Sequence, residues 1–418
     1  MATTYEYSIV SLAIPFFFIL ILVEYAYGVA KGKNTYRLND ALTSIFIGLI
    51  SRYPTLLNLG FQSVVFLYIS TNLDVKLLPQ DGLLTWILAF VLYDFSYYWN
   101  HRMHHEIKIL WATHSVHHHG EDFNLATALR QTSTGWLWKW IFYLPMILIG
   151  VPVEVFVSVA GINLVYQFWV HTKHIGHLGF LEKIFVTPMN HSVHHAKNKE
   201  YIDANYGGVF IIWDRLFGTY VAELPTVKPV YGTVSRLNSF NPIWANFQVF
   251  MNMMKDCYRT KKIKDKFKIW VAPTYWQPED LKSEKPKKYH NRPQDKFDPS
   301  LSIDAKLFGF YQIVAVALVS VSAEMFSHGL NLSDLGVFAL IILWFCVFNS
   351  RLLENKNYSY AVLFFSSLAV WLSITSFSLL DQTLLPVQLL NFYMLGNILF
   401  ILILATVNYF KSNTPIAG

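Results

Sequence analysis

The chain has 418 residues, of which 54% are hydrophobic and only 14% charged, with a mean hydropathy of +0.33; that balance argues for a polytopic membrane protein rather than two soluble domains. The formal charge of +6 comes largely from one stretch, Lys255–Lys288, so it does not read as a nucleic-acid footprint, and no nucleic-acid partner is expected. Two cysteines, Cys257 and Cys346, exclude an iron–sulfur cluster, a CxxC motif and a disulfide framework.

In chain order, the first apolar run (7–29) is about one span long and lacks the basic n-region of a cleavable signal peptide. Lys31, Lys33 and Arg37 follow it. A second apolar stretch (41–69) is interrupted by Arg52-Tyr53-Pro54 and reads as one broken or tilted span. A third (83–99) leads straight into His101. Two shorter runs (136–149 and 151–168) are split at Gly150-Val151-Pro152 and read as a membrane hairpin. Residues 173–300 are more polar and turn basic and Pro-rich. Four further apolar runs (307–321, 335–348, 360–380 and 389–407) complete the chain. The expected division is 1–82 for N-terminal spans, 83–225 for a catalytic core, 226–304 for a basic cytosolic segment and 305–418 for a four-helix membrane region.

Run lengths of this size imply helices rather than a membrane barrel. Positive residues favour the cytoplasmic side. With Lys31–Arg37 inside, the second span exits and the third returns His101 to the cytoplasmic face. The hairpin returns His171 to the same face, and the basic stretch Lys255–Lys288 also falls inside, where it would lie against anionic lipid headgroups. The expected fold class is therefore all-α: a polytopic helical membrane protein with a cytosol-facing, histidine-rich dimetal site.

Thirteen of the fifteen histidines lie between His101 and His195. His101 and His105 form H-x-x-x-H; His114, His117 and His118 form H-x-x-H-H, and His191, His194 and His195 repeat it. Residues three and four apart share a helix face, so each group presents imidazoles to one point. One tetrahedral ion takes about four protein ligands, so eight or nine histidines suffice for two ions. His171, at the end of the hairpin, is a candidate ninth ligand. His174 and His177 read as polar histidines at the membrane surface or as partners of the ligands. His104 and His119 fall on other helix faces, and His290 and His328 are isolated. Asp94 lies seven residues before His101 on the same face; it is assigned either to a ligand's free ring N–H or to a local hydrogen bond with Tyr97 or Tyr98. Glu106 and the Glu121-Asp122 pair are the candidate carboxylates at the metals, and Asp94 and Glu106 are the candidate catalytic acids. All-imidazole ligation does not choose between iron and zinc by affinity. Few acids for bridging two zincs, and a site fed from the bilayer, favour an oxygen-dependent iron enzyme acting on lipid over a hydrolase. A membrane metal transporter is the non-enzymatic alternative, disfavoured because transport sites tend to lie near mid-membrane.

These residues resemble the fatty acid hydroxylase/sterol desaturase superfamily, whose pattern is H-x-x-x-H, H-x-x-H-H and a later H-x-x-H-H. The segments Tyr93–Glu106, Glu121–Gln131, Tyr166–Thr172 and Asn205–Tyr220 are similar to its alkylglycerol monooxygenase branch. The resemblance implies two iron ions held by His101, His105, His114, His117, His118, His191, His194 and His195, with O2 as oxidant. It also implies tetrahydrobiopterin as reductant, or in other members an electron-donor protein. The implied substrate is a lipid entering from the bilayer: an alkylglycerol, whose ether-bearing carbon is hydroxylated to give a fatty aldehyde and a glycerol derivative, or otherwise a sterol or fatty acid. Asp122, Asn124, Arg130 and Gln131 are candidate contacts to a pterin or glycerol headgroup; the alternative is a capped, hydrogen-bonded turn. The implied location is a multi-pass integral membrane protein, in a cell inner membrane or the endoplasmic reticulum.

Overall fold

The structure is a computed structural model and describes residues 9–57, 59, 61–72, 77–79, 82–282, 296–356 and 358–413. Among these no β-strand forms; three isolated bridges occur, Ile107 with Pro273, Phe185 with Phe210 and Ala196 with Tyr231. His290, Lys285, Lys287 and Lys288 lie outside the described residues.

The chain folds as two compact units, Met1–Asn238 with Ile243–Phe297, and Ser239–Pro242 with Asp298–Gly418. The first holds α1 (Ile9–Ala30), α2 (Leu38–Leu56), α3 (Phe61–Asn72), α4 (Leu83–Glu106), α5 (Lys108–His118), α6 (Leu125–Ala128), α7 (Lys139–Leu148), α8 (Val153–Trp169), α9 (Pro188–His194), α10 (Ile212–Leu216), α11 (Pro242–Arg259, entering the unit at Ile243) and α12 (Ile263–Val271). The second holds α13 (Ile303–Met325), α14 (Leu332–Leu353), α15 (Tyr358–Phe377) and α16 (Leu385–Asn413). The stretches read as 1–82 and 83–225, and most of the 226–304 segment (226–238 and 243–297), thus fall in one unit.

Among the described residues, five helices are long and apolar enough to cross a membrane: α1 and α13 to α16. The second and third runs of the sequence reading are not among them. The 41–69 stretch divides into α2 and α3. Pro54 lacks the N–H that would bond the Ile50 carbonyl, and α2 ends two residues later. α4 is 24 residues long, but from Asp94 onward it also carries Asn100, Arg102 and three histidines. The hairpin forms as two short apolar helices, α7 and α8, separated by Gly150 at φ +86°, a left-handed conformation that favours glycine.

α4 is the axis of the first unit, packing on α5, α7 and α8, while α1 packs on α8 and α6. One apolar cluster ties α3, α4, α7 and α8 through Phe66, Ala89, Tyr143 and Phe156. Another ties α1, α6 and α8 through Phe17, Leu125 and Phe168, with the Phe17 and Phe168 rings stacked 4.1 Å apart.

On α11 and α12 the inner faces are buried, with Met253 and Ile269 meeting Ala112 of α5. Their outer faces carry stripes at helical spacing: Phe247, Met251, Met254 and Tyr258 (88% exposed), then Ile263, Phe267 (73%) and Val271.

Candidate metal centre

Helical spacing does what elementary geometry requires of it. His101 and His105 on α4, His114 and His118 on α5, and His194 on α9 form one group; His117, His171, His191 and His195 form a second. Within each group one ligand atom per ring lies within 4.8 Å of all the others. The singled-out histidines all converge, and His171, which follows α8, completes the group of four.

The ring nitrogens face one another. His101 Nε2 is 3.0 Å from His114 Nε2, which is 3.1 Å from His118 Nε2. In the second group His191 Nε2 is 3.0 Å from His171 Nε2 and 3.1 Å from His195 Nε2, and His171 Nε2 is 3.4 Å from His117 Nε2. Two nitrogens bound about 2.05 Å from a common ion stand about 2.9 Å apart at a right angle and about 3.3 Å apart at the tetrahedral angle. The spacing fits imidazoles directed at a shared ion. His105 Nε2 and His194 Nε2 are buried and bond no protein atom, and a buried orphan nitrogen in such a cluster is one that a metal could satisfy.

Backbone carbonyls fix the rings. The Nδ1–H of His101 donates to the Tyr206 carbonyl (2.8 Å), that of His117 to Arg130 (2.9 Å), that of His171 to Gln167 (2.8 Å) and that of His194 to Ala204 (2.9 Å). With the proton on Nδ1, the Nε2 lone pair is left for a ligand bond. Burial pushes the His171 ring down to about 3 and the His194 ring to about 4, and holds His117, His118, His191 and His195 well below the usual imidazole range. All are neutral at pH 7, the state that binds metal.

The local sequence explains the placement. Thr187 caps α9, and Pro188 occupies its first turn, where a missing N–H is harmless. The carbonyls of Ala204 and Tyr206 come from a tight loop in which Asp203 (φ +62°) and Asn205 (φ +59°) are left-handed. The Asn205 side chain pins the loop by donating to the Asn190 and Val221 carbonyls and accepting from Val221 N. Asp214 accepts from Tyr206 N (2.7 Å) and Gly207 N (2.8 Å). A Cβ at Gly207 would stand 2.5 Å from the Phe210 carbonyl oxygen, and one at Gly208 would stand 2.8 Å from Asp94 Oδ1. These positioning residues carry no ligand signature; their only sequence signal is the Asn205–Asp214 block.

The candidate acids lie elsewhere. Asp94 touches no ligand histidine, nor Tyr97 or Tyr98 through a hydrogen bond. Its carboxylate accepts from Asn163 Nδ2 (2.8 Å), Val209 N (2.7 Å), Phe210 N (3.0 Å) and Trp213 Nε1 (2.9 Å). It therefore ties α4 and α8 to the segment that follows the carbonyl loop. Glu106 pairs with Arg102 at 2.8 Å and is partly exposed. Glu121 pairs with Arg236 at 3.1 Å. Neither enters a histidine group.

Three of the four candidate headgroup contacts are taken up in structure. Asp122 pairs with Arg37 (2.9 Å) and Lys296 (2.5 Å). Asn124 caps α6 in a capping box with Thr127. Arg130 is buried against Asp40 (3.0 Å), while its carbonyl orients His117. Gln131 differs: it lines a cavity of about 240 Å³ that reaches His171 and is otherwise walled mostly by apolar residues of α1, α2 and α8. Of the remaining histidines, His104 donates to the Asn100 carbonyl, His119 meets Thr233, His174 lies edge-on to Tyr27, and His177 pairs with Glu182.

Comparison with known proteins agrees with this arrangement. The fatty acid hydroxylase family model matches residues 86–219. The chain is similar to alkylglycerol monooxygenase of Homo sapiens, 43% identical over 267 residues, covering 64% of this chain and 59% of that protein. It is likewise similar to alkylglycerol monooxygenase of Danio rerio, 41% identical over 272 residues, 64% of this chain and 60% of that one. It also resembles the ornithine lipid hydroxylase OlsE of Rhizobium tropici, 31% identical over 142 residues, 32% of this chain and 41% of the relative. The chain thus spans about three fifths of the length of the alkylglycerol monooxygenases it matches. No solved structure matches it. The residues matched by the fatty acid hydroxylase family model, 86–219, take in both histidine groups.

Proposed function

We propose that this protein is a membrane-embedded, metal-dependent monooxygenase that hydroxylates the ether-bearing carbon of an alkylglycerol-type lipid. The observation that carries the reading is the pair of all-imidazole groups, one of which reaches through His171 into a mostly apolar cavity walled in part by α1, a helix long and apolar enough to span a bilayer. The similarity to alkylglycerol monooxygenases supplies the reaction.

The two groups fit two iron ions, which when bound supply the O2-dependent oxidation of an unactivated C–H bond. His101, His105, His114, His118 and His194 would hold one, and His117, His171, His191 and His195 the other. The chain's own work is to keep those rings neutral, aim their Nε2 atoms through backbone carbonyls, and exclude water by burial. One oxygen atom of O2 enters the ether-bearing carbon, and the other leaves as water after two electrons and two protons are supplied. The hemiacetal product then divides into fatty aldehyde and a glycerol derivative. The electrons come from tetrahydrobiopterin in this reading, by likeness to the relatives.

The site's neighbours support a cytoplasmic side for it. Glu24, in the last third of α1, accepts from Leu125 N and from the Thr172 hydroxyl, so the histidines lie at the end of α1 that carries Lys31 and Lys33. Positive residues favour the cytoplasmic side, and that side is assigned to the metal centre. α11 and α12 are assigned to the same membrane surface, with their exposed apolar stripes in the lipid and Lys255, Lys264 and Lys268 at anionic headgroups. A spin label at Phe267 or Tyr258 should be more accessible to O2 than to a water-soluble nickel chelate; the reverse order at both would remove this contact.

The function is tested by incubating iron-loaded protein in detergent with a labelled 1-O-alkylglycerol, O2 and tetrahydrobiopterin. Pterin-dependent fatty aldehyde is expected. Its absence from protein that binds metal would move the assignment to hydroxylation of another lipid, the direction in which the likeness to an ornithine lipid hydroxylase points.

A further inference from the structure

The cavity beside His171 contains a charge that nothing so far explains. Lys139, at the start of α7, lines it together with Gln131, Thr132, Gln167 and His171. Its stem lies over Gly135, where an added Cβ would stand 3.0 Å from Lys139 Cε. Its ammonium makes no hydrogen bond or ion pair with any described residue. Its charge adds to burial in holding the ligand-group His117 and the neighbouring His104 uncharged. Among the described residues no carboxylate lines the cavity, while a second cation, Arg52, does. Arg52 lies seven residues beyond Ile45 on α2, so it is roughly 10 Å farther along the cavity wall.

A cation in an apolar, acid-free cavity is expensive unless a counter-charge arrives. Ether or hydroxyl oxygens would replace lost water contacts but leave the charge uncompensated. An anion does both, and its bond to the ammonium is charge-assisted. We propose that this cavity binds a single-chain amphiphile with an anionic head, phosphate or carboxylate, and that Lys139 holds that head beside the metal centre. The tail then lies along the apolar wall formed by Ile14, Phe17, Leu49 and Leu164. This rests on the reading of the cavity as the substrate site of the proposed monooxygenase. For an ether lipid it means that the phosphate-bearing alkylglycerol is preferred to the neutral one.

The test uses full-length, metal-loaded protein in neutral detergent, with dodecyl phosphate, dodecanoate and dodecanol as probes. None has an ether carbon, so binding is read independently of ether cleavage, by calorimetry or thermal shift. Wild type should bind at least one of the two anions at least tenfold more tightly than the alcohol, and comparison of the two identifies the head. Lys139→Gln should abolish that preference without changing dodecanol binding, Lys139→Arg should keep it, and the surface change Lys264→Gln should not affect it. Metal content identical to wild type certifies that the Lys139 variants are folded. Equal affinity for anions and alcohol in wild type, or a preference that persists in a folded Lys139→Gln protein, overturns the proposal. If the anion preference holds while no lipid is cleaved, the binding assignment stands and the ether-cleaving one falls.

Discussion

The two units of this molecule both bury polar side chains among apolar helices, but they do so differently. In the first, nine imidazoles converge, and the Nε2 atoms of seven of them face one another while four Nδ1–H groups donate to backbone carbonyls. In the second, Gln312 on α13 donates to Asn397 of α16 (2.6 Å), while its carbonyl oxygen accepts from Asn349 of α14 (2.8 Å) and Tyr393 of α16 (2.5 Å). Those side chains bond one another and staple three helices, as uncharged polar groups do in a membrane bundle, with Asn349 Oδ1 and Asn397 Nδ2 left over. A cluster of uncharged side chains bonded mainly to one another serves structure. One with titratable groups, neutral and mutually facing, calls for a ligand.

The comparison breaks most severely if the histidines are expendable. His114→Ala or His191→Ala removes a ring that neighbours two or more others in its group, and turnover should fall at least a hundredfold while the protein remains folded. Wild-type-like rates in either variant would end the site assignment. Next in size is Asp94→Leu. It strands four donors, two buried and two partly buried, a buried one being worth about 1–3 kcal/mol when left unpaired, and should cost several kcal/mol with loss of bound metal; Asp94→Asn should cost less. Thermal melting with metal analysis separates the two. An effect under about 1 kcal/mol would show that the carboxylate does not hold the 209–213 segment.

Acid should act on the first unit selectively. Burial lowers the folded-state values of His171 to about 3 and His194 to about 4, against about 6.5 unfolded. Below about pH 6.5 the unfolded chain therefore binds protons that the folded chain does not, and stability falls with pH through that window. The metal-free protein should melt at progressively lower temperature from pH 7 to pH 5, and metal should leave over the same range. A flat profile would contradict buried, neutral rings. The smallest effect belongs to the second unit: Gln312→Leu should lower stability by about 1–3 kcal/mol and leave turnover within about twofold.

How much of this could be read in the sequence depends on what kind of atom does the work. The ligand histidines were legible because helical periodicity converts spacing into a shared face, and the apolar run of α1 because bilayer thickness fixes its length. The four carbonyls that orient the rings were not, since every residue owns a carbonyl and only the fold selects Tyr206, Ala204, Arg130 and Gln167. Asp94 illustrates the cost of that blindness. Its position on the His101 face suggested a histidine partner, yet the chain brings Val209, Phe210 and Trp213 to it across more than a hundred residues. The capped turn at Asn124 and the buried Arg130–Asp40 pair likewise spend residues that looked like headgroup contacts. Lys139 drew no attention as one lysine at the edge of an apolar run; only the cavity around it makes the charge informative.

The central claim is that two all-imidazole groups hold two ions. The most direct measurement is metal content per chain with X-ray absorption of the bound metal, on wild type and on the two histidine variants. Two ions in wild type, each with nitrogen neighbours at about 2.0–2.2 Å, falling to one in His114→Ala and one in His191→Ala, is the predicted result. A single ion in wild type, or two that survive both substitutions, would contradict it.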